Sequence, residues 1–447
     1  MNFGSRLLLV VCFLCITSLS ETEGKKIKAG KETWGYVNIR ENASTFWWLY
    51  YSTTNGTYTD DPLVMWLQGG PGASSTGYGN FMEIGPLTVD LQPRNKTTWV
   101  DSANVLFVDN PVGTGFSYVT NSSAYARNNL QIANDLFLFL SGFLKKLPEF
   151  QKVPFFIFSE SYGGKMAAGF AKKLQAEIIN GSIICNFKGI ALGDSWISPV
   201  DTVLSWGPYL YSTSLLDGRG LSVVNTAANL TKQAVDSGDF KKATELFQTL
   251  EQVVSKETNG VNFYNILKKD ETQLGNSTYK FKDQYLNEIY KLHVLPYQGD
   301  KLEKLMNGKI REKLRTIPKN VTWSSQSSQV FEALAEDFMV PVTNTVEELL
   351  NTTRLSIVVY TGQLDLIVDT IGTSAWLQKL RWLGINQFND STRSPIAIPN
   401  DNTAGFVKTF KNLAMYWILK AGHMVPADAG ETALKMLHMI TKGNNKP

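Results

Sequence analysis

The chain has 447 residues, of which 43% are hydrophobic and 19% are charged, and it contains 11 Trp, 17 Tyr and 24 Phe. This composition is typical of a globular protein and argues against intrinsic disorder and coiled coil. The formal net charge of +3 gives no indication of a nucleic-acid partner.

The first 20 residues have the pattern of a secretory signal peptide. A positive charge precedes an apolar stretch of about ten residues, which is too short to span a bilayer, and small residues precede a cleavage site after Ser20. Cleavage there would leave Cys185 as the last of the three cysteines. An intrachain disulfide would then be impossible, which is unusual for a chain that enters an oxidising compartment.

Short apolar runs alternate with helical patterns in the next part of the chain. Strands are predicted at 63–67, 105–108, 155–158 and 189–192, and helices at 134–147 and 162–179. Apolar runs without alternation indicate strands that are buried on both faces of a mostly parallel sheet. We therefore predict an α/β fold whose first part covers residues 21–196.

The pattern changes after Pro199, where polar and helical sequence with interleaved lysines and glutamates continues to about Leu314. We predict a helical insertion, or cap, over residues 197–320. The α/β pattern then returns in residues 321–447. This second part of the core is predicted to contain a helix at 330–350, strands at 355–360 and 413–418, and a last helix at 430–440.

Ten Asn-x-Ser/Thr triplets are more than chance alone would supply, and they predict passage through the secretory pathway. Because glycans must face water, we expect these asparagines on the surface. They are Asn42, Asn55, Asn95, Asn121, Asn180, Asn229, Asn276, Asn320, Asn351 and Asn389. No later segment reaches 18 continuous apolar residues, so no membrane partner is predicted.

Residues 155–164 have the order of strand, tight turn and helix that a nucleophile elbow requires. A serine hydroxyl is a weak nucleophile and must stand exposed beside a base, and Ser161 occupies the turn. The turn also needs small neighbours, which are Ser159 and Gly163. Since such turns are common, the motif alone leaves a catalytic serine and a structural turn equally open.

The candidates for a base and an acid follow later in the chain. His423 lies in a loop directly after a predicted strand, whereas His293 and His438 lie in helical patterns that are typical of packed or surface histidines. Asp365 follows another strand, at the sheet edge where α/β sites form. Asp369 is its competitor for the role of the acid.

The segment 68–72, Gln-Gly-Gly-Pro-Gly, follows the strand at 63–67. Its backbone N–H groups, together with that of Tyr162, could bind a developing oxyanion. A plain turn is the alternative. A phosphate-binding loop is disfavoured because no Gly-Lys-Ser/Thr sequence follows.

Seven motifs in the chain resemble those of the serine carboxypeptidase family of α/β-hydrolases, and they occur in that family's order. They are WLQGGPGASS at 66–75, EIGP at 83–86, NVLFVDNPVGTGFSY at 104–118, SESYGG at 159–164, GDSWISP at 193–199, YTGQLD at 360–365 and AGHMVP at 421–426. The resemblance implies an α/β-hydrolase fold, with a mostly parallel central sheet flanked by helices, and a serine-type peptidase activity. It also implies roles for Ser161 as nucleophile, His423 as general base and acid, Asp365 as its orienting partner, and Gly70 and Tyr162 as oxyanion donors.

The resemblance further implies that Gln68, Gly69, Glu83 and Glu160 bind the free C-terminal carboxylate of a peptide substrate. An acidic side chain repels that carboxylate unless one of them is protonated, so we expect an acidic working pH. A secreted or lysosomal location would fit. No cofactor is implied, and the absence of His-x-x-x-His and Cys-x-x-Cys spacing disfavours a metal site. A monomer and a homodimer remain open.

Three positions depart from the family's usual pattern. Ser159 replaces a glycine at the elbow, Gln68 replaces an asparagine in the carboxylate site, and Ala73 replaces a cysteine. The first two put catalytic efficiency and substrate choice in question. The alternatives to a carboxypeptidase are therefore an esterase or acyltransferase with the same triad, and a weakly active or non-catalytic protective protein.

Overall fold

The computed structural model describes residues 30–268 and 300–443. The predicted signal peptide, His293 and the sequon at Asn276 lie outside these residues. Among the helices that are described, none is long and apolar enough to cross a membrane.

One 11-stranded sheet forms the centre of the molecule, in the order β1-β2-β4-β3-β6-β7-β8-β11-β10-β9, with β5 paired to β2. The strands from β4 to β11 in this order pair in parallel, and both edges of the sheet are antiparallel. The bounds are β1 Glu32–Arg40, β2 Ala43–Tyr50, β3 Leu63–Leu67, β4 Asn104–Val108, β5 Tyr118–Val119, β6 Phe155–Glu160, β7 Phe187–Gly193, β8 Ser356–Gly362, β9 Ser394–Ile398, β10 Asp401–Phe410 and β11 Leu413–Ile418.

The central strands are buried on both faces, which explains their unalternating apolar sequences. In β3, Leu63, Met65 and Leu67 belong to one hydrophobic core, while Val64 and Trp66 belong to a second core on the other face. Helices cover both faces because each core needs an apolar partner surface.

Fourteen α-helices are present in the described part of the chain. They are α1 Asn129–Lys146, α2 Tyr162–Ile179, α3 Pro199–Ser212, α4 Gly218–Asp236, α5 Phe240–Glu257, α6 Asp300–Leu305, α7 Arg311–Leu314, α8 Ser328–Ala333, α9 Ala335–Phe338, α10 Thr343–Thr352, α11 Thr370–Gln378, α12 Ile385–Asp390, α13 Val425–Asp428 and α14 Gly430–Thr441. π-Helical turns occur at Ser75–Ile84 and Met306–Ile310. Between β7 and β8, every described element is helical.

The helix predicted at 330–350 is wrong as a continuous element. The structure has three short helices there, α8, α9 and α10, with breaks at Leu334 and between Met339 and Val342. Pro341 lies in the second break, where it lacks a backbone N–H and disfavours a helical conformation at Val340.

The sequence interpretation also did not identify the antiparallel strands at the edges of the sheet. β9, the last strand at one edge, buries only its central Ile396, and its neighbour β10, which pairs with both β9 and β11, has several half-exposed or exposed residues. An edge strand has a partner on one side only, so it needs no long apolar run. β1 has the same weak pattern, with few fully buried residues.

Candidate active site

Ser161 occupies the tight turn between β6 and α2, with φ 60° and ψ −130°. This is a strained conformation for a residue with a side chain, and the surrounding backbone holds it in place. Ser161 N donates to Gly193 O at 3.0 Å, and Trp196 N donates to Ser161 O at 3.0 Å. A Cβ at Gly163 would lie 2.3 Å from Leu67 O, so only glycine fits there.

Ser159, which replaces the usual glycine, is accommodated without exposure. Its hydroxyl donates to Ala191 O at 3.1 Å, and Tyr360 Oη donates to Ser159 O at 3.2 Å. The extra polar atom is therefore satisfied by the neighbouring strand β7, which removes the penalty of a buried, unpaired hydroxyl.

His423 and Asp365 lie side by side because they follow β11 and β8, which are parallel neighbours in the sheet. His423 Nδ1 is 2.8 Å from Asp365 Oδ2, and both side chains are buried. Asp369, the competing acid, instead caps α11 by accepting from Ile371 N and Gly372 N. The geometry therefore pairs His423 with Asp365.

His438 lies elsewhere in the fold. Its Nε2 is 2.6 Å from Ser102 Oγ. His438 thus lies on a helix and contacts a hydroxyl group outside the candidate site, which agrees with its sequence pattern.

The glycine-rich loop after β3 lies directly against the nucleophile turn. A Cβ at Gly69 would be 2.5 Å from Ser161 Cβ and 3.0 Å from Tyr162 N. Gly70, with φ 105°, adopts a conformation that disfavours other residues. Tyr162 is the first residue of α2, where a backbone N–H has no partner within its own helix. The loop and the helix N-terminus can therefore face one oxygen atom.

Gln68, Glu83 and Glu160 form a buried cluster beside this turn. Gln68 Nε2 donates to Glu160 Oε1 at 2.8 Å and to Glu83 Oε1 at 3.1 Å, while Gln68 Oε1 accepts from Trp66 Nε1 at 2.7 Å. The longer side chain of Gln68 thus joins both acids. The second oxygens of Glu83 and Glu160 are buried with no hydrogen-bond donor among the described residues.

Burial shifts the proton affinity of this cluster. Desolvation raises the pKa of Glu160 well above its usual value, and the nearby Glu83 carboxyl raises the pKa further. Desolvation also raises the pKa of Glu83. Two carboxyls that face each other in a dry site favour a shared proton, so the cluster retains hydrogen-bond donors under acidic conditions.

Comparison with known proteins agrees with these motifs. The serine carboxypeptidase family model matches residues 23–443. The chain belongs to the serine carboxypeptidase family. It is 52% identical to the retinoid-inducible serine carboxypeptidase of Rattus norvegicus, over 97% of each chain, and 53% identical to that of Homo sapiens, over 92% of each chain. It is also 41% identical to serine carboxypeptidase-like 51 of Arabidopsis thaliana, over 97% of this chain and 98% of the relative.

A solved structure supports the fold assignment. The prohormone-processing carboxypeptidase Kex1Δp of Saccharomyces cerevisiae superposes with a TM-score of 0.76, at 21% identity, over 92% of this chain and 91% of that structure. The predicted α/β-hydrolase fold and the predicted class, a serine-type carboxypeptidase, are confirmed.

In this carboxypeptidase, a cavity opens beside Ser161 and His423, and Glu160 reaches its wall. The helical segment between β7 and β8 supplies six of the other thirteen lining residues. Its aromatic members are Trp196, Phe247, Tyr264, Phe331 and Phe338. None of these was identified from the sequence, because their neighbours along the chain give no sign that they meet.

One of these wall residues, Phe338, directly follows an aspartate that forms a buried ion pair. Lys165 Nζ lies 2.9 Å from Asp337 Oδ2, which also accepts from Tyr162 Oη at 2.6 Å. The pair joins α2, the helix after Ser161, to α9, which carries Phe338. Burial lowers the pKa of Lys165 to about 8. A lysine in the otherwise apolar first half of this helix was the available sequence signal.

Asp194 is another buried acid that the sequence interpretation left without a role. It belongs to the GDSWISP motif and follows β7 at the same sheet edge as the predicted catalytic residues. Asp194, Asp365 and His423 each place one oxygen or nitrogen within 4.8 Å of the others. His423 Nδ1 and Asp365 Oδ2 are already hydrogen-bonded to each other, and Asp194 lies beside this pair.

Proposed function

We propose that this serine-type carboxypeptidase hydrolyses the C-terminal peptide bond of peptides and proteins at acidic pH, through an acyl-enzyme on Ser161. The observation that carries the proposal is that Ser161, His423 and Glu160 border one cavity. A nucleophile, a base and a carboxylic acid then face the same substrate. The carboxylic acid can bind the carboxylate at the C-terminus of a peptide substrate.

In the proposed reaction, Ser161 Oγ attacks the carbonyl carbon of the last peptide bond. Asp365 binds His423 Nδ1, which leaves Nε2 to accept the proton of Ser161 and then to deliver it to the leaving amine. The backbone N–H groups of Gly70 and Tyr162 would stabilise the oxyanion. Water then hydrolyses the acyl-enzyme, with His423 acting again as base and acid.

Recognition of the substrate's C-terminus is assigned to Gln68, Gly69, Glu83 and Glu160. Gln68 Nε2 holds one oxygen of each acid, and a proton shared by the two acids can be donated in a hydrogen bond to a carboxylate. Once both acids ionise, the cluster repels a carboxylate instead. An acidic optimum therefore follows from the raised pKa of Glu160 and of Glu83.

A comparison of free and amidated peptides tests this proposal. Wild type should release a C-terminal amino acid from a free peptide at acidic pH, and Ser161→Ala should reduce the rate by about 10⁴-fold or more. Amidation of the same peptide should remove turnover by the wild type. Equal turnover of both peptides would refute carboxylate recognition and favour an esterase-like or acyltransferase-like activity.

Labelling with a fluorophosphonate separates catalysis from substrate choice. Ser161 should be labelled, and Ser161→Ala should not. Absence of labelling in folded wild type between about pH 4 and pH 7 would refute the catalytic assignment and favour a non-catalytic role.

We also propose that the chain passes through the secretory pathway and is glycosylated there. The nine sequon asparagines within the described residues are all exposed, as attachment of glycans requires. Glycosidase treatment of protein from a eukaryotic secretory host should lower its mass. An unchanged mass would refute the proposal.

A further inference from the structure

Asp194 is fixed at the end of β7 by contacts to the adjacent strand β8. Its backbone N–H donates to Tyr360 O at 2.8 Å, and its Oδ1 accepts from Gly362 N at 2.8 Å. Asp194 also has a φ of 40°, which is uncommon for a residue with a side chain. These contacts hold one oxygen of the Asp194 carboxyl group against the backbone of β8. The direction in which the other oxygen points is thereby fixed.

The second oxygen of Asp194 is buried and has no conventional donor among the described residues. An ionised carboxylate would be costly to leave in this state, whereas a protonated oxygen could itself act as a donor. Asp365 offers an acceptor close by, because one side-chain oxygen or nitrogen from each of Asp194, Asp365 and His423 lies within 4.8 Å of the others.

Asp365 needs such a donor. It is fully buried, and apart from His423 the hydrogen-bond partner of its carboxylate among the described residues is Val368 N, at a long 3.4 Å from Oδ1. A catalytic aspartate that orients a histidine is itself held by further hydrogen bonds, since its carboxylate must stay ionised in a dry site. A proton on Asp194 would supply one.

We propose that Asp194 is a positioning residue that remains protonated and donates a hydrogen bond to the carboxylate of Asp365. The unit that activates Ser161 then contains four side chains, in the order Ser161, His423, Asp365 and Asp194. This proposal rests on the proposed hydrolytic function of Ser161. The proton stays on Asp194 throughout the reaction, and its hydrogen bond keeps Asp365 directed at His423 Nδ1.

The charges around Asp194 favour this protonation state. Desolvation raises the pKa of Asp194 well above its usual value, and the charge of Asp365 raises it further, with a smaller effect from Glu83. Glu160 also interacts with Asp194, and Tyr360 packs against it as a neutral phenol. His423 is the remaining titratable neighbour in the group.

Loss of the Asp194 proton would place two anionic carboxylates next to each other. Asp365 would lose its donor and would be repelled from its present position. A displacement of about 1 Å in a catalytic group can reduce the rate about 100-fold. The enzyme should therefore lose kcat at high pH, and the loss should follow the ionisation of Asp194.

The test uses Asp194→Asn, which keeps the shape and replaces the O–H donor with an amide donor that does not ionise. The rate constant for fluorophosphonate labelling of Ser161 and kcat for a free peptide are measured from about pH 4 to pH 9. Asp194→Asn should keep the rate of wild type at acidic pH within about threefold, and should move the decline at high pH upward by about one unit or more. Asp194→Ala, which removes the donor, should lose about 100-fold at acidic pH.

Asp369→Asn is the matched control, because Asp369 is also buried near Asp365 and has its pKa raised to about 7 by burial. It should keep the high-pH decline of wild type. Thermal melting of all three variants checks that each is folded.

A decline that is unchanged in Asp194→Asn, or that is lost in Asp369→Asn instead, would overturn the proposal. If peptide turnover fails while labelling still depends on Ser161, the proposed substrate is wrong, and the labelling profile still decides the role of Asp194.

Discussion

The contact between Gly69 and the nucleophile turn predicts a large effect from one methyl group. A Cβ added at Gly69 would lie 2.5 Å from Ser161 Cβ, 2.8 Å from Glu160 O and 3.0 Å from Tyr162 N. Two of these atoms belong to backbone, so the new methyl group cannot be relieved by a side-chain rotation. The loop or the elbow must move by about an ångström, and we expect Gly69→Ala to lose about 100-fold in kcat. Overpacking of this kind also lowers the free energy of unfolding by about 1–3 kcal/mol.

The assay compares kcat, KM and the labelling rate of Ser161 in Gly69→Ala with those of Gly218→Ala. Gly218 is the matched control because nothing lies within 4 Å of the position of its Cβ, at the start of α4. The control should behave as wild type. If Gly69→Ala stays folded and retains kcat within about threefold of wild type, the loop does not hold the elbow in the way that these distances indicate.

Three further predictions concern stability. Lys165→Met leaves the buried carboxylate of Asp337 without its cation and should lower the free energy of unfolding, measured in urea, by about 3–5 kcal/mol. Lys172→Met breaks an exposed ion pair and should lower it by less than about 1 kcal/mol. Equal effects of the two variants would contradict the assigned burial. Ala73 and Gln326 form an antiparallel bridge between the glycine-rich loop and the segment before α8, so Ala73→Cys with Gln326→Cys should form a disulfide. The disulfide should raise the free energy of unfolding by about 2–4 kcal/mol and raise the melting temperature, and a reductant should reverse both effects. A pair that stays reduced under oxidising conditions would contradict the register. Burial raises the pKa of Glu160 in the folded protein. The contribution of Glu160 to folding stability is therefore complete below its pKa in the unfolded chain and is lost as the pH rises through its pKa in the folded protein. The melting temperature should fall from acidic to alkaline pH, and Glu160→Gln should reduce this slope.

The elements that the sequence predicts well are those in which local pattern and tertiary environment agree. β3 and β11 have the predicted bounds, and α2 spans Tyr162–Ile179 as predicted. Each central strand is buried on both faces, so its sequence is apolar throughout and contrasts with the turns on either side. The edge strands have a partner on one side only, and their weaker patterns gave no comparable signal.

The candidate site divides in a similar way. Ser161, Asp365 and His423 could be predicted because each follows a recognisable strand, and the carboxyl ends of parallel strands meet at one edge of a sheet. The position of Asp194 beside Asp365 depends on the register between β7 and β8, which a single chain does not reveal. The aromatic wall at Phe338 depends on the buried contact of Lys165 with α9, which joins segments that are 172 residues apart.

Two pairs of buried acids, Glu83 with Glu160 and Asp194 with Asp365, would give the enzyme two responses to pH that kinetics can separate. Glu83 and Glu160 would contact the substrate's carboxylate, so their ionisation should raise KM for peptides with a free C-terminus. Asp194 and Asp365 would act on His423 alone, so ionisation of Asp194 should lower kcat and the labelling rate of Ser161 by a small probe that has no carboxylate. Burial raises the pKa of both Glu160 and Asp194, so both effects inhibit the enzyme as the pH rises.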